Sequence, residues 1–369
     1  CSLIRITCWS QVPYWSSSAV QSRIEKVKNN NGQERTMKPI TIKDIARELS
    51  VSVSTVSRAL QNHPDISEQT KVLVRECAQK LNYKPNVMAS NLRTNKNTTI
   101  GVVIPELNHH FFSSVLNGIE QTANEAGYQI LICQTAEVVS KEIQAVHTLI
   151  GSRVAGILVG VSKQTVDLQH LHDVQNNGIP LVLYDRPCPS LKCDQVVSDD
   201  YRGAYNAVEY LIHTGCKKIM CFTSAMQLEM SRRRYQGWRD ALHDYNIPIL
   251  ENMVVECDTR LNAIIDAPHI LQAENRPDAI FCVNDDCAAG VLHAAQILGV
   301  KIPEELAVCG FSDAPICRAT VPMLTTVQQH GVEIGKRAMA RLLARLDKGT
   351  GVPQTEMIPT DLIVRETTK

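Results

Sequence analysis

The chain has 369 residues, of which 44% are hydrophobic, and its 38 basic residues balance its 38 acidic ones. This length predicts two or three domains with ample material for their cores. No apolar run approaches the roughly 18 residues needed to span a bilayer, so the sequence excludes a membrane-spanning helix.

The charge is distributed unevenly along the chain. Residues 1–37 contain five basic and two acidic residues, residues 38–98 contain ten and five, and residues 99–369 contain 23 and 31. A short basic segment therefore precedes a long acidic body. Positive charge concentrated in this way favours contact with nucleic-acid phosphates.

The first 36 residues show no sustained apolar period and lack the apolar centre of a secretory signal. We expect Met37 to be the natural start and residues 1–36 to be a non-native or disordered extension, with a disordered functional arm as the alternative. The 13 cysteines include no C-x-x-C pair. This favours reduced thiols in a cytoplasmic protein and predicts neither disulfides nor a metal site.

Three short helices are predicted within residues 37–84. Thr41 and Asp44 have the spacing of a capping box, and apolar residues follow at helical spacing. After a tight turn, Ser52 can cap a second helix that runs from Val53 to Leu60. Ser67 can cap a third helix, whose expected buried residues are Val72, Leu73, Cys77 and Leu81.

Short helices separated by so tight a first turn are typical of a helix-turn-helix domain, whose second helix enters the major groove of DNA. The candidates for DNA contact are Thr41, Ser52, Val53, Ser54, Thr55, Ser57 and Arg58. Arg58 has the side chain that pairs with guanine or phosphate. The alternative roles are helix caps and surface groups for the hydroxyls, and a solvated side chain for Arg58.

The segments Ile42–Ala46, Val51–Arg58 and Leu81–Asn86 resemble the DNA-binding head of the lactose/galactose repressor family. Ser50 stands in the turn where that family usually has glycine. Glycine tolerates a positive φ there without strain, so we expect serine at this position to carry a modest strain.

The same resemblance implies that residues 85–98 form a hinge helix and a linker. Asn86, Ala89 and Leu92 match DNA-contacting positions of the family's hinge, and Leu92 matches an apolar wedge in the minor groove. Such wedges unstack a base step and bend the duplex. Packing of Leu92 against its own head domain is the alternative.

From Thr99 onward, apolar runs of strand length alternate with segments of helical spacing. The predicted strands are 100–104, 129–133, 155–159, 180–184, 218–222, 278–283 and 306–310. Repeated βα units predict doubly wound parallel sheets, and about 270 residues are too many for one open sheet. The expected fold class is therefore α/β, with two lobes and a cleft, preceded by a small all-α helix-turn-helix domain.

This body resembles the type I periplasmic-binding-protein fold, the effector domain of the same family, through motifs such as Asp199–Ala204 and Gly310–Asp313. The resemblance implies an effector-binding and dimerisation domain over residues 99–369, in which the chain crosses three times between lobes. The expected lobes are 99–196 with 328–350, and 197–327 with 351–369.

The resemblance also implies a small-molecule effector in the cleft. The residues that match cleft positions are His109, Phe111, Phe112, Asp185, Arg186, Arg234, Asn284, Ser312 and Gln329. Aromatic faces and polar side chains suit a sugar, whereas Phe112 can instead be a core residue and Asn284 a helix cap.

Two departures from the family bear on the ligand. His109-His110 stand where relatives often have Asn-Pro, and Ser312 replaces a common acidic residue. We expect a sugar or sugar derivative, with an acidic or modified sugar, a glycan fragment and a purine left open. The two histidines have no third ligand at a telling spacing, so no metal is expected.

No G-x-G-x-x-G, Walker A or G-x-S-x-G motif is present, so the sequence predicts neither an enzyme nor a cofactor. It predicts a sequence-specific transcriptional repressor, a homodimer or tetramer on a palindromic operator, whose DNA affinity an effector controls. The expected location is the cytoplasm, at the nucleoid, without a membrane partner. The alternatives are a solute-binding receptor of the same fold and a nucleotide-cofactor α/β enzyme.

Overall fold

The computed structural model describes residues 40–83, 97–250, 252–349 and 351–369. The chain divides into two compact units between Ser90 and Asn91, and each unit is considered by itself. The expectations for residues 1–36 and for Asn86, Ala89 and Leu92 lie outside the described residues.

The first unit, the head, consists of three helices, and the second and third of them begin with a serine cap. Its helices are α1 (Ile42–Glu48), α2 (Val53–Leu60) and α3 (Glu68–Lys80). The Oγ atom of Ser52 accepts a hydrogen bond from the backbone N–H of Thr55 at 3.0 Å, and the Oγ atom of Ser67 accepts one from Thr70 at 3.3 Å. Each cap satisfies a backbone donor that the first helical turn leaves unpaired.

The head packs around a small apolar core that all three helices share, formed by Ile45, Ala46, Val56, Ala59, Val74, Cys77 and Ala78. The expectation that Val72 and Leu73 are buried is wrong, since both are exposed. The helical period of α3 directs Val74 and Cys77 inward and turns the two preceding apolar residues outward. Ser50 has a φ of 53°, so the turn adopts the left-handed conformation that glycine tolerates better.

The second unit, the body, contains two six-stranded sheets. The strands of the first sheet, in spatial order, are β11 (Thr355–Ile358), β5 (Asp194–Ser198), β4 (Leu181–Tyr184), β3 (Gly156–Val159), β1 (Thr99–Ile104) and β2 (Gln129–Gln134). Those of the second sheet are β12 (Asp361–Ile363), β10 (Thr325–Gln328), β9 (Ala307–Phe311), β8 (Ala279–Cys282), β6 (Ile219–Thr223) and β7 (Val254–Glu256). All neighbouring strands run parallel except β10 and β12.

Helices cover both faces of the first sheet, because its strand side chains alternate between two apolar clusters. Val102 packs with Phe112 and Met339 on one face, and Val103 packs with Leu149 on the other. The body helices are α4 (His110–Glu125), α5 (Val139–Gly151), α6 (Gln169–Asn176), α7 (Asp200–His213), α8 (Glu229–Asp244), α9 (Arg260–Leu271), α10 (Asp285–Leu298) and α11 (Gly331–Lys348), with a 3₁₀ turn at Pro315–Arg318.

The third crossing between the lobes differs from the expected one. Strand β11 pairs with β5 in the first sheet, so residues 355–358 belong to lobe one rather than to lobe two. After β11, the chain returns to the second sheet at β12, which pairs with β10. Parallel pairing along β5 fixes β11 in lobe one, and a short apolar pattern in the sequence does not reveal which partner a strand selects.

Two glycines bring α4 and α11 into close contact. A Cβ atom on Gly118 would lie 2.0 Å from the carbonyl oxygen of Val332, and one on Gly335 would lie 2.0 Å from that of Val115. Since the neighbour is backbone in both cases, a side chain can be accommodated only if the helices separate. This contact sets how α11, which follows a crossing between the lobes, packs on lobe one.

We predict that Gly335→Ala lowers the free energy of unfolding of the body by about 3 kcal/mol, because the methyl group forces the two helices apart. Gly151→Ala is the matched control, since a Cβ atom there meets nothing within 4 Å. Alanine should leave stability unchanged or raise it by up to about 1 kcal/mol at that position. Urea unfolding followed by circular dichroism measures both, and equal effects would refute the close-packing explanation.

Candidate functional site

Helix α2 carries five of the ten residues predicted to contact DNA, and three of these five are exposed. Val53, Ser54 and Arg58 are exposed there, and Thr55 is half-buried. Ser57 differs from the expectation, since it is only 8% exposed and lies on the buried side of α2. Two other candidates, Thr41 and Ser52, lie at helix starts, where both the N–H and the hydroxyl of Thr41 donate to Asp44.

A cavity of about 170 Å³ lies between the two lobes of the body. All nine residues predicted for the cleft line it, so the structure brings together side chains spread over more than 200 positions of sequence. They follow the carboxyl ends of strands in both sheets, which is where open parallel sheets bind ligands. The sequence did not single out the other lining residues, which are Glu106, Glu137, Lys163, Ser224, Leu228, Met230, Asp258, Thr259, Val283 and Asp286.

Asp185 and Arg186, directly after β4, differ sharply in how their charges are satisfied. The Nη1 and Nη2 atoms of Arg186 donate to the carboxylate of Glu137 at 2.9 and 2.8 Å, and Nη1 also donates to the carbonyl of Val161. The Nε atom of Arg186 is buried and has no hydrogen-bond partner within the described residues. It lies 3.6 Å from the Asp185 carboxylate, too far for a good hydrogen bond.

The Asp185 carboxylate is held in an unfavourable environment. Its backbone has a φ of 68°, and its side chain is buried in the cavity wall. Burial raises the pKa of Asp185 to about 7, and the nearby charges of Asp200 and Glu137 add to that rise while Arg186 and Arg234 oppose it. Strain and a perturbed pKa at one buried residue are typical of functional sites.

Arg234 lines the cavity but is fully engaged by the protein. Its Nε and Nη2 atoms contact Asp200 at 2.8 and 2.7 Å, its Nη1 atom donates to the carbonyl of Val283, and its guanidinium lies 3.7 Å from the centre of the Phe311 ring. Arg234 therefore stabilises lobe two as well as the cavity wall. Truncating it would leave Asp200 buried without its partner, which is strongly destabilising.

The predicted amide residues make bridges rather than presenting free groups. Gln329 donates to the hydroxyl of Ser198 at 3.1 Å and accepts from the hydroxyl of Ser312 at 2.7 Å, so it connects the two lobes at a crossing. Asn284 caps α10 by accepting from the backbone of Cys287 at 2.8 Å and donates to the carbonyl of Asp258. The alternative role considered for Asn284, a helix cap, is confirmed.

An aromatic group forms the wall contributed by the start of α4. The rings of His109 and Phe111 lie 5.6 and 5.5 Å from that of Phe112, and the guanidinium of Arg186 lies 5.3 Å from the Phe112 ring centre. Burial lowers the pKa of His109, which favours the neutral imidazole, and its Nδ1 atom lacks a partner in the described part of the chain. Phe112 belongs both to the lobe-one core and to the cavity.

An ion pair between Lys163 and Asp258 links the lobes across the cavity, with the Nζ and Oδ2 atoms 2.6 Å apart. Lys163 follows β3 and Asp258 follows β7, a three-residue strand that the sequence pattern did not predict. Because Lys163 follows a predicted strand, the sequence could have indicated that it lies near the cleft. Nothing in the sequence indicated which residue it would pair with.

The described ranges contain neither a metal-binding cluster nor a membrane-spanning helix. No group of three or more histidine, cysteine or acidic side chains there is arranged to hold a metal ion. None of the helices described is long and apolar enough to cross a membrane.

Comparison with known proteins identifies both units. Residues 41–86 match the model of bacterial regulatory proteins of the lacI family, and residues 208–368 match a periplasmic-binding-protein-like domain. The chain is 34% identical over 334 residues to the HTH-type transcriptional repressor PurR of Vibrio atlanticus (strain LGP32). The aligned region covers 89% of this chain and 98% of PurR. The chain belongs to the LacI family.

Solved structures of LacI-family proteins agree with the architecture described above. The lac repressor dimer bound to operator and the anti-inducer ONPF superposes with a TM-score of 0.80 at 26% identity, covering 90% of this chain and 99% of that one. A transcriptional regulator CelR–cellobiose complex superposes with a TM-score of 0.68 at 25% identity, covering 89% and 99%. The expected fold, a helix-turn-helix head before two parallel α/β lobes, is confirmed.

Membership of the LacI family decides between the functions considered from the sequence. The chain is a DNA-binding repressor regulated by a small effector, and not an enzyme. The solute-receptor alternative shares the body fold but does not account for residues 41–86, which match the family's DNA-binding region.

We predict that Asp185→Asn stabilises the protein at pH 8 and has little effect at pH 4. Because the folded state holds the Asp185 proton up to about pH 7 and the unfolded chain releases it near its ordinary pKa of 3.8, wild-type stability falls as the pH rises between these values. Asparagine removes that loss, so the melting temperature at pH 8 should rise by a few degrees.

Thermal unfolding of both proteins from pH 4 to pH 8 measures this difference, with Glu120→Gln, an exposed substitution on α4, as the control. An Asp185→Asn curve parallel to that of the wild type would show that Asp185 is already ionised at pH 4.

Proposed function

We propose that this LacI-family repressor reads operator DNA with α2 and binds its effector in the cavity between the lobes. The observation that carries the proposal is the convergence of the nine residues that match the family's cleft positions on one interlobe cavity, in a chain that also contains an exposed and capped α2. The protein acts on DNA, so we place it at the nucleoid in the cytoplasm.

In the head, α2 offers the side chains that base recognition needs. The exposed residues of its first two turns comprise an apolar group at Val53, a hydroxyl at Ser54 and a guanidinium at Arg58. The nearest acid to Arg58 is Asp65, 4.0 Å away on an exposed surface, and so weak a pair leaves the guanidinium available to DNA. Direct readout by α2 would be supplemented by phosphate contacts from the surrounding basic residues.

A two-fold symmetric dimer would place two heads on the half-sites of a palindromic operator. The lac repressor that this chain resembles is a dimer on its operator. We propose the same assembly here. A further association into a tetramer is a second possibility, which sedimentation distinguishes by mass.

The effector would act by changing how the lobes are held together. The described contacts that bridge the cleft are the Lys163–Asp258 ion pair and the Ser198–Gln329–Ser312 hydrogen bonds. A ligand inserted among them favours one lobe arrangement over another, and operator affinity responds by the same factor with which the operator changes effector affinity. Titration of the operator complex determines whether the effector induces or corepresses.

The class of effector we favour is a sugar or sugar derivative. The aromatic wall at Phe112 faces a cavity with an unpaired carboxylate at Asp185, which suits the C–H faces and hydroxyl donors of a sugar. The regulator CelR, which shares this fold, has been solved in complex with cellobiose.

We predict that Arg58→Ala weakens binding to the operator selected by the wild-type protein by about 5- to 150-fold, since a base-contacting arginine contributes roughly 1–3 kcal/mol. Lys80→Ala removes the same charge at the end of α3 and serves as the control. Fluorescence anisotropy of the full chain, on duplexes selected from a random pool, measures both affinities.

The same titrations repeated over a range of salt concentrations test DNA binding as such. Counterion release predicts a steep fall in affinity as salt rises. Affinity independent of salt, or equal losses in Arg58→Ala and Lys80→Ala, would contradict the proposed role of α2.

A further inference from the structure

The cations that line the interlobe cavity are all neutralised by the protein itself. Arg186 is held by both oxygens of Glu137, and Lys163 contacts Asp258 at 2.6 Å. Arg234 is held by Asp200. Among the described residues, the cavity therefore presents no unpaired cation to a ligand.

The cavity also presents acidic side chains that accept no hydrogen bond from the described residues. Asp185 accepts no hydrogen bond within the described ranges, although its side chain is buried in the cavity wall. Glu106 lines the same cavity and likewise has no ion pair among the residues described. The groups left for a ligand are thus chiefly acceptors, which bind hydroxyl, N–H or ammonium donors.

One donor remains unused beside Asp185. The Nε–H group of Arg186 is buried without a partner in the described chain and lies 3.6 Å from the Asp185 carboxylate. A ligand hydroxyl can donate to the carboxylate and accept from Nε–H at the same time. A ligand carboxylate or phosphate can only accept from Nε–H, and above about pH 7, where Asp185 is ionised, that carboxylate repels it.

We propose that Glu137 sets the charge selectivity of the effector site: by neutralising Arg186 it restricts the site to uncharged or cationic ligands rich in hydrogen-bond donors and excludes anionic ones. This inference rests on the proposed role of the cavity as the effector site. It removes acidic sugars from the classes that the sequence leaves open.

Glu137 is fixed in place independently of any ligand. It follows β2 in a turn where Ala136 and Glu137 both have positive φ, of 52° and 58°. Its Oε2 atom also accepts a hydrogen bond from the backbone N–H of Lys163 at 2.7 Å. Glu137→Gln keeps the size of the side chain and one acceptor oxygen but removes the charge that neutralises Arg186.

The test compares wild-type protein with Glu137→Gln in thermal-shift and calorimetric titrations of the full chain. The anionic probes are glucose 6-phosphate and galacturonate, and their counterparts are glucose, galactose and the cationic glucosamine. The anionic probes should not stabilise the wild type. Glu137→Gln should bind at least one of them about tenfold or more tightly than the wild type does, because Arg186 is then free to pair with it.

Glu120→Gln, an exposed substitution on α4, is the matched control and should gain no affinity for anions. If Glu137→Gln does not fold, Asp185→Asn replaces it, since removing the unpaired carboxylate should shift selectivity in the same direction. An anionic probe that stabilises the wild type as well as its counterpart, or that gains nothing in the folded variant, overturns the proposal.

Salt-dependent binding to DNA is measured on the same preparations. If DNA binding remains salt-dependent while Glu137→Gln gains no affinity for anionic probes, only the role of Glu137 is refuted. If salt-dependent binding is absent as well, the proposed repressor function fails with it.

Discussion

The ion pair between Arg186 and Glu137 is the contact on which the geometry of the cleft depends. It joins the ends of β4 and β2, and Glu137 in turn binds the backbone of Lys163 after β3. Lys163 reaches Asp258 in the other lobe, and the Asp258 carbonyl accepts from Asn284 at the start of α10. A continuous polar network therefore runs from one sheet to the other. Because the charges in this network are buried or half-buried, separating any of them from its partner costs free energy. The network therefore restricts the relative positions of the two lobes.

Parallel strands bring these residues together. Each connection in a parallel sheet returns the chain to the same end, so the polar groups after β2, β3 and β4 meet at the carboxyl edge of the first sheet, and those after β7 and β8 meet at the carboxyl edge of the second, although they are far apart in sequence. The interior of each sheet is apolar, and Asp185, with its positive φ, lies at the carboxyl edge of the first sheet. We propose that a small ligand bound between these two edges acts on both lobes at once.

The sequence predicted seven of the twelve strands described in the body, the bounds of α2 and the nine cleft positions, because continuous apolar runs and family motifs mark them directly. It did not reveal β5, β7, β10, β11 and β12, or the pairing of β11 with β5, since that choice depends on contacts distant in sequence. Ser57, a candidate for DNA contact, is buried on α2, and the sequence did not reveal this because a hydroxyl is compatible with either side of a helix. Glu137, Lys163 and Asp258 lie in polar loops, where charged residues are common, and only the folded structure shows that they pair.

The central claim is that occupancy of the cavity and affinity for the operator are coupled. The most direct measurement is the operator affinity of the full chain, with and without a saturating ligand that stabilises the wild type but not Asp185→Asn. The account predicts a change of about 5- to 150-fold, together with an equal change in ligand affinity when the operator is saturating. An operator affinity that stays constant while the cavity fills would contradict it.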